Sequence, residues 1–416
     1  MNRLVLIGNG FDLAHGLKTS YADFINWYWE EWGKRLMGEK KYKEEDEFCL
    51  FELSNKYGIG NWYLVKGLYF QDINMNAREF IKKVKMDSNL CSFKYKSPFF
   101  ERINKQIESK GWVDIENEYY LLLKKYAIEN PSKKDVVNLN KQLQFLQDKL
   151  IEYLSEINKQ DVDIIKEIGE KIFAPINSSD VAINATATLN DYIYWCKKQG
   201  DEVWKKKLYN YGIGNEYNFS YLNDIERYCN EPSIFTDYPK AFRLPDNIML
   251  LDFNYTKTAV QYIPDGKQIF FHNHIHGEVD NPQNVIFGYG DELDNDYNAI
   301  QNINDNDYLN NVKSIRYLES SNYRSVLSFV DAAPFQVCIM GHSCGNSDRT
   351  LLNTLFEHRN CISIKPYYYI KENGEDNYLE LVQNISRNFT DMKLFRDRVV
   401  NKEYCEPLTH IKRNSI

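Results

Sequence analysis

Three histidines, His272, His274 and His276, alternate along "QIFFHNHIHG" (268–277), a run that reads as a strand. Alternation places their side chains on one face. Imidazoles so arranged can hold zinc or another divalent cation, and Asp291 or Glu278 would complete the ligand set. His276 also has a second use. An imidazole titrating near neutrality suits base chemistry, and Gly277 beside it would leave room for a ligand. Further chemistry is carried by Gly8-Asn9-Gly10-Phe11-Asp12, Asn254-Tyr255-Thr256 and Gly341-His342-Ser343. Glycines at 8 and 10 would let the backbone approach a pyrophosphate, with the N–H groups of a following helix aimed at the anion. The third glycine of a full dinucleotide fingerprint is replaced by Leu13. Asn254 offers both a donor and an acceptor to orient water or a carbonyl, or else simply serves a turn. Ser343 lacks the flanking glycines of a nucleophile elbow, so it reads as a phosphate ligand or loop residue. Asp348 reads as a helix N-cap.

All four polar turns follow apolar runs. Leu4–Ile7, 247–256, 268–277, 284–290, 335–348 and 361–370 read as buried strands that close on polar or glycine-bearing ends. Helices alternate with them, "RTLLNTLFEH" after Asp348 and "TDMKLFRDRVV" (390–400) with Thr390 as N-cap. That alternation predicts an α/β, Rossmann-like parallel sheet. Its ligand would lie beyond the carboxyl ends of the strands, where the four turns could share one crevice.

The first strand is separated from the others by a block of different character. From about residue 41 to about residue 244, glycine and proline thin out and apolar residues recur at helical spacing. Val136–Ile157 carries one stripe of Leu139, Leu143, Phe145, Leu146, Leu150 and Leu154, and Trp112–Ala127 reads as a second amphipathic helix. Ser20 and Asp23 form a capping box ahead of Trp27, Tyr28 and Trp32. The expected organisation is therefore an α/β domain of residues 1–40 and 245–416 around a large all-helical insertion, 41–244.

The chain has 416 residues, 43% of them hydrophobic and 26% charged, as in globular proteins. Its net charge of −8 disfavours a nucleic-acid footprint. No apolar run is long enough to span a bilayer, and the N-terminus lacks a basic leader, so a cytoplasmic location without membrane contact is expected. None of the eight cysteines forms a CxxC pair, so free buried thiols are expected.

"LIGNGFDLAHGLKTSYADF", "WVDIENEY", "LDFNYT", "HIHG", "IFGYG" and "GHSCGNSDRTLL" resemble the successive motifs of the AbiH family of bacterial abortive-infection, phage-defence proteins. The resemblance runs from residue 4 to about residue 358. A more distant resemblance is to sirtuin-like NAD-consuming domains. These share the order of a Gly-x-Gly turn, a strand-end Asn, a His-Gly about twenty residues on, and a late Gly-x-Ser turn. It implies that Gly8, Asn9 and Gly10 hold the pyrophosphate and that Asn254 orients the attacking water or the ribose. It makes His276 the base and has Ser343 contact the adenosine side. Phe11, Asp12, Thr256, Gly277, Gly341 and His342 would complete the NAD contacts. Phe11-Asp12 replaces the small residue after that family's Gly-x-Gly, and Thr256 replaces its Asp. The missing zinc-binding cysteine pairs point away from deacetylation, towards NAD hydrolysis without a bound metal. The implied role is NAD⁺ depletion on infection, with a phage-encoded trigger engaging the helical block; the reading also admits a homo-oligomer. The residue-level alternatives are a metal-dependent hydrolase or nuclease on His272, His274 and His276, and a nucleotide-binding switch without catalysis.

Overall fold

A computed structural model describes residues 1–38, 43–53, 91–199, 207, 209–211 and 243–410. Parts of the expected helical block, 54–90 and 212–242, lie outside the described residues. Leu4 to Ile7 do form a strand, β1 (Asn2–Ile7), and every residue of it is buried. It is central to a five-stranded sheet. With β5 (Asn247–Asp252), β6 (Phe270–His274), β7 (Phe335–Met340) and β8 (Cys361–Tyr367), the order is β6-β5-β1-β7-β8, all parallel. Continuous apolar runs fit such strands because both faces are covered. Leu4, Leu6, Leu251, Val337 and Ile339 face one helical layer, which includes Val326, Phe329, Leu351, Leu355 and Ile385. Val5, Ile7, Leu250, Cys338 and Met340 face another, built on Ile165, Ile168 and Ile172. The chain thus has the expected α/β, Rossmann-like fold, with strand order reversing between β1 and β7.

The second body has its own core, in which Phe24, Trp29, Trp32, Phe48, Phe100, Leu143 and Leu146 pack together. Its long helix, Lys133–Ile157, buries Leu139, Leu143, Leu146, Leu150 and Leu154 on one stripe. The capping box is reciprocal: Asp23 N–H donates to Ser20 Oγ at 3.1 Å and Ser20 N–H to Asp23 Oδ2 at 3.2 Å. The block is not all helix. β2 (Lys43–Glu45), β3 (Cys49–Leu53) and β4 (Cys91–Tyr95) form an antiparallel sheet, in which Cys49, Phe51 and Leu53 alternate inward. Packing also crosses the expected boundaries. The helix Tyr21–Gly38 belongs to this second core, whereas Lys166–Phe173 covers the parallel sheet.

Two local expectations are corrected. Residues 284–290 are not a strand: only Tyr289 pairs, in an isolated parallel bridge to Val312, with Gly288 and Gly290 passing close to the neighbouring chain on either side of it. A Cβ at Gly288 would lie 2.1 Å from the Asn311 carbonyl oxygen, and one at Gly290 3.0 Å from Lys313 Cβ. The helix Met392–Arg398 is capped by Asp391, which accepts from Lys393 N–H at 2.7 Å, while Thr390 donates instead to the Glu357 carboxylate. A further helix, Tyr378–Arg387, lies beyond the last strand. Cys49, Cys91, Cys338, Cys344 and Cys361 are buried thiols. No helix among the described residues is long and apolar enough to cross a membrane.

Candidate functional site

Strand order reverses between β1 and β7, so the turns after these strands border the crevice where open α/β sheets bind ligands. The turns touch. Gly10 N–H donates to the Gly341 carbonyl at 2.8 Å and Gly8 N–H to the Met340 carbonyl at 3.2 Å. A Cβ at Gly8 would sit 2.4 Å from His342 Cα, and one at Gly341, whose φ is +78°, 2.1 Å from Phe11 N. The three glycines are thus required by a backbone crossing, and two of the N–H groups expected to meet a phosphate are engaged in it.

Beyond this crossing lies a cavity of about 360 Å³. Gly8, Asn9, Gly10, Asp12, Asn254, Thr256, His276, Gly341, His342 and Ser343 all line it. All four polar turns therefore meet at one cavity. Phe11 and Gly277 do not line it. Phe11 is buried against the sheet, with its ring edge-on to Tyr262. Gly277, φ +79°, turns against residues 284–285, where its Cβ would lie 2.3 Å from the Asn284 carbonyl oxygen. It seats the His276 turn rather than opening space. Asn9 and Ser343 are exposed at the rim, and Trp112, 61% exposed, stands with them.

His276 lies beyond the end of β6 and is only 4% exposed. Its Nε2 is 3.1 Å from Asp348 Oδ1 and 3.3 Å from the Tyr317 hydroxyl. Asp348 does occupy the N-cap position of Arg349–Phe356, but its side chain makes no capping bond. It turns inward to Lys313, whose Nζ lies 2.8 Å from both Asp348 Oδ1 and Glu116 Oε2. Cys344 N–H donates to His342 Nδ1 at 3.0 Å, leaving the proton of His342 on Nε2, 3.7 Å from Asp348 Oδ2. Burial alone would raise Asp348, but Lys313 and His276 outweigh it and hold the carboxyl well below the usual range. Burial, reinforced by Lys313, lowers His276 and so keeps its ring neutral. Burial raises Glu116 and Asp114.

On the opposite side of the cavity, burial pushes Asp12 up to about 7. Its Oδ2 accepts from Thr256 Oγ1 at 2.6 Å, while its buried Oδ1 has no hydrogen-bond partner. Asn254 Nδ2 donates to the Gly8 carbonyl at 3.1 Å, tying the β5 turn to the β1 turn.

The three histidines do not converge. His272 and His274 gather around Asp252 beneath the Asn254 turn, and among the described residues these three are close enough to share a cation. Their atoms already serve that turn. Asp252 Oδ1 accepts from Asn254 N–H at 2.9 Å, His272 Nε2 lies 3.2 Å from Asp252 Oδ2, and His274 Nδ1 lies 3.1 Å from the Asn254 carbonyl oxygen. With Nδ1–H of His274 donated to that carbonyl and Nε2–H of His272 to Asp252, each ring keeps a lone pair only on its other nitrogen. Of the expected further ligands, Asp291 pairs with Arg349 at 3.3 Å, and Glu278 Oε2 lies 3.7 Å from His274 Nε2.

Sequence reasoning missed Glu116, Asp114 and Lys313 and gave Asp348 the wrong task. The signal for Glu116 was present: a carboxylate on the apolar face of "WVDIENEY", which the fold buries. Lys313 carries no comparable signal.

No curated protein matches the chain, and no solved structure does. The family model described as bacteriophage abortive infection AbiH matches residues 4–369. That span holds β1 from Leu4 on, the helical body and every residue of the cavity, and the chain belongs to the AbiH family.

Proposed function

We propose that the cavity binds NAD⁺ and hydrolyses its nicotinamide–ribose bond, depleting the dinucleotide during phage infection. The observation that carries this reading is the meeting of all four strand-end turns at the switch-point cavity, with a neutral His276 held by an ionised Asp348. With Nε2–H donated to Asp348, Nδ1 of His276 is the basic nitrogen. Water attacks the ribose C1′ and gives its proton to His276. The glycosidic electron pair leaves with nicotinamide, whose ring loses its positive charge, and the other product is ADP-ribose. Asn254, fixed to the Gly8 carbonyl, orients the water or the ribose.

The charge of the lining sets the direction of entry. Asp12, Asp114, Glu116 and Asp348 line the cavity, and no lysine or arginine does so among the described residues. With Asp348 ionised and burial raising the other three carboxyls, such a wall offers no cation to a pyrophosphate there. The phosphates therefore lie at the rim, near Asn9 and Ser343, and the exposed Trp112 ring offers a stacking surface to adenine.

The test is incubation of purified protein with NAD⁺, with and without phage lysate, while nicotinamide and ADP-ribose are followed by chromatography. Turnover is expected in the wild type and absent in Asn254→Ala and His276→Ala. No turnover under either condition overturns the hydrolysis.

A further inference from the structure

Four charged or titratable groups from distant parts of the chain form one buried series: Glu116, Lys313, Asp348 and His276. Glu116 comes from the helix Ile115–Lys124 of the helical body, and Lys313 from the short helix Lys313–Arg316. Asp348 follows β7 and His276 follows β6. Lys313 is 1% exposed and its ammonium is divided between two carboxylates at equal distance. Glu116 Oε1 also accepts from Gly288 N–H at 3.2 Å, so its carboxylate is fixed at both oxygens.

We propose that Glu116 is a positioning residue through which the helical body governs the Asp348–His276 pair, by withholding part of the Lys313 charge from it. This rests on His276 being the base of the hydrolysis proposed above. The physics is a competition for one cation among buried groups, where charges are weakly screened. With Glu116 in place, Lys313 is balanced and Asp348 retains charge with which to orient the imidazole. Without it, the full ammonium charge falls on Asp348 and His276. The groups facing His276 are Asp348, Lys313, His342, Tyr317 and Tyr255, with Glu116 and Asp114 behind them. Glu116 belongs to the helical body, so a shift of that helix by about one hydrogen-bond length would break the contact with Lys313. The protonation of the base therefore reports on how the helical body is seated.

The competition makes a prediction of opposite sign for two variants. Removing a negative charge, Glu116→Gln, lowers the midpoint at which the His276 ring protonates. Removing the positive charge, Lys313→Met, raises it. The Lys313→Met shift should reach about one pH unit, a tenfold change in the proton affinity of the ring, and the Glu116→Gln shift should be smaller, because burial raises Glu116 and leaves it only partly ionised where the ring titrates. The measurement is NMR titration of the imidazole carbon-bound protons, with His276→Gln identifying the resonance. Thermal unfolding confirms that each variant is folded. Should Lys313→Met not fold, the double variant Glu116→Gln/Lys313→Met is compared with Glu116→Gln, and its midpoint must lie higher. Shifts of opposite sign, or the higher midpoint in the double variant, support the coupling. Shifts of the same sign, or none in either variant, overturn it. The titration needs no turnover, so an inactive protein would overturn the hydrolysis while leaving this outcome readable.

Discussion

Replacing Asp12 with asparagine separates a carboxyl group that should ionise from one that cannot. Asp12 is buried in the cavity wall, and burial raises it from 3.8 to about 7. Between those values the folded protein keeps a proton that the unfolded chain has released. The stability this confers is full below the unfolded value and is lost as pH rises through the folded one. For one group with these two values, the loss between about pH 5 and pH 8 is ~2.5 kcal/mol. Asp252 is raised to about 7 by the same cause and contributes a loss of its own. Asp12→Asn retains the Asp252 loss and removes that of Asp12, so its stability should fall less across the same interval, by ~2–3 kcal/mol. Urea unfolding of both proteins at the two pH values measures this difference. Any fixed cost of the substitution cancels. Parallel pH dependences in the two proteins would refute the reasoning, because they would mean that Asp12 ionises in the fold as readily as in the unfolded chain.

Gly341 and Gly374 both have positive φ, but only Gly341 has backbone where a Cβ would go. Gly374→Ala should cost about 1 kcal/mol, from the left-handed conformation alone. Gly341→Ala should cost ~4 kcal/mol or prevent folding, and equal costs in thermal unfolding would dismiss the crossing as the reason for that glycine. Trp112→Ala should raise KM for NAD⁺ by ~5- to 100-fold at little change in kcat, the measure of lost base stacking; an unchanged KM places the adenine elsewhere. Chelators should leave the melting temperature unchanged, because the Asp252, His272 and His274 atoms are engaged with the Asn254 turn. Stoichiometric zinc in the purified protein, lost in His272→Ala, would restore the metal reading.

Much of the parallel sheet was legible because strands buried on both faces are largely apolar, as Leu4–Ile7 and 248–251 are. Their order in the sheet was not, since it depends on pairing over long distances. Residues 284–290 read as a strand for the same apolar reason. What distinguishes them is that only Tyr289 meets a pairing partner, Val312, which no local pattern reveals. The strand β3 was lost inside a block judged by its helices, although Cys49, Phe51 and Leu53 alternate inward. At the site, polar residues following apolar runs identified one side of the cavity. The opposite side comes from Asp114 and Glu116 on a helix of the other body and could be found only by folding the chain. Even the clearest local motif misled in part: period-two spacing put three histidines on one face, but β6 ends at His274 and His276 turns away.

The central place of β1 has a consequence for synthesis. Asn2 pairs with Asn247 on one side and with Phe335 on the other. A ribosome adding ~5–20 residues per second needs roughly 12–50 s to reach the first of these partners. For that interval a strand buried throughout in the fold has both edges unpaired, a hazard that chaperones exist to meet. The same delay is a safeguard. The cavity cannot form until Asp348 has left the exit tunnel, so an incomplete chain carries no assembled site. The proposed hydrolysis is in this way withheld until the chain has been made through Asp348.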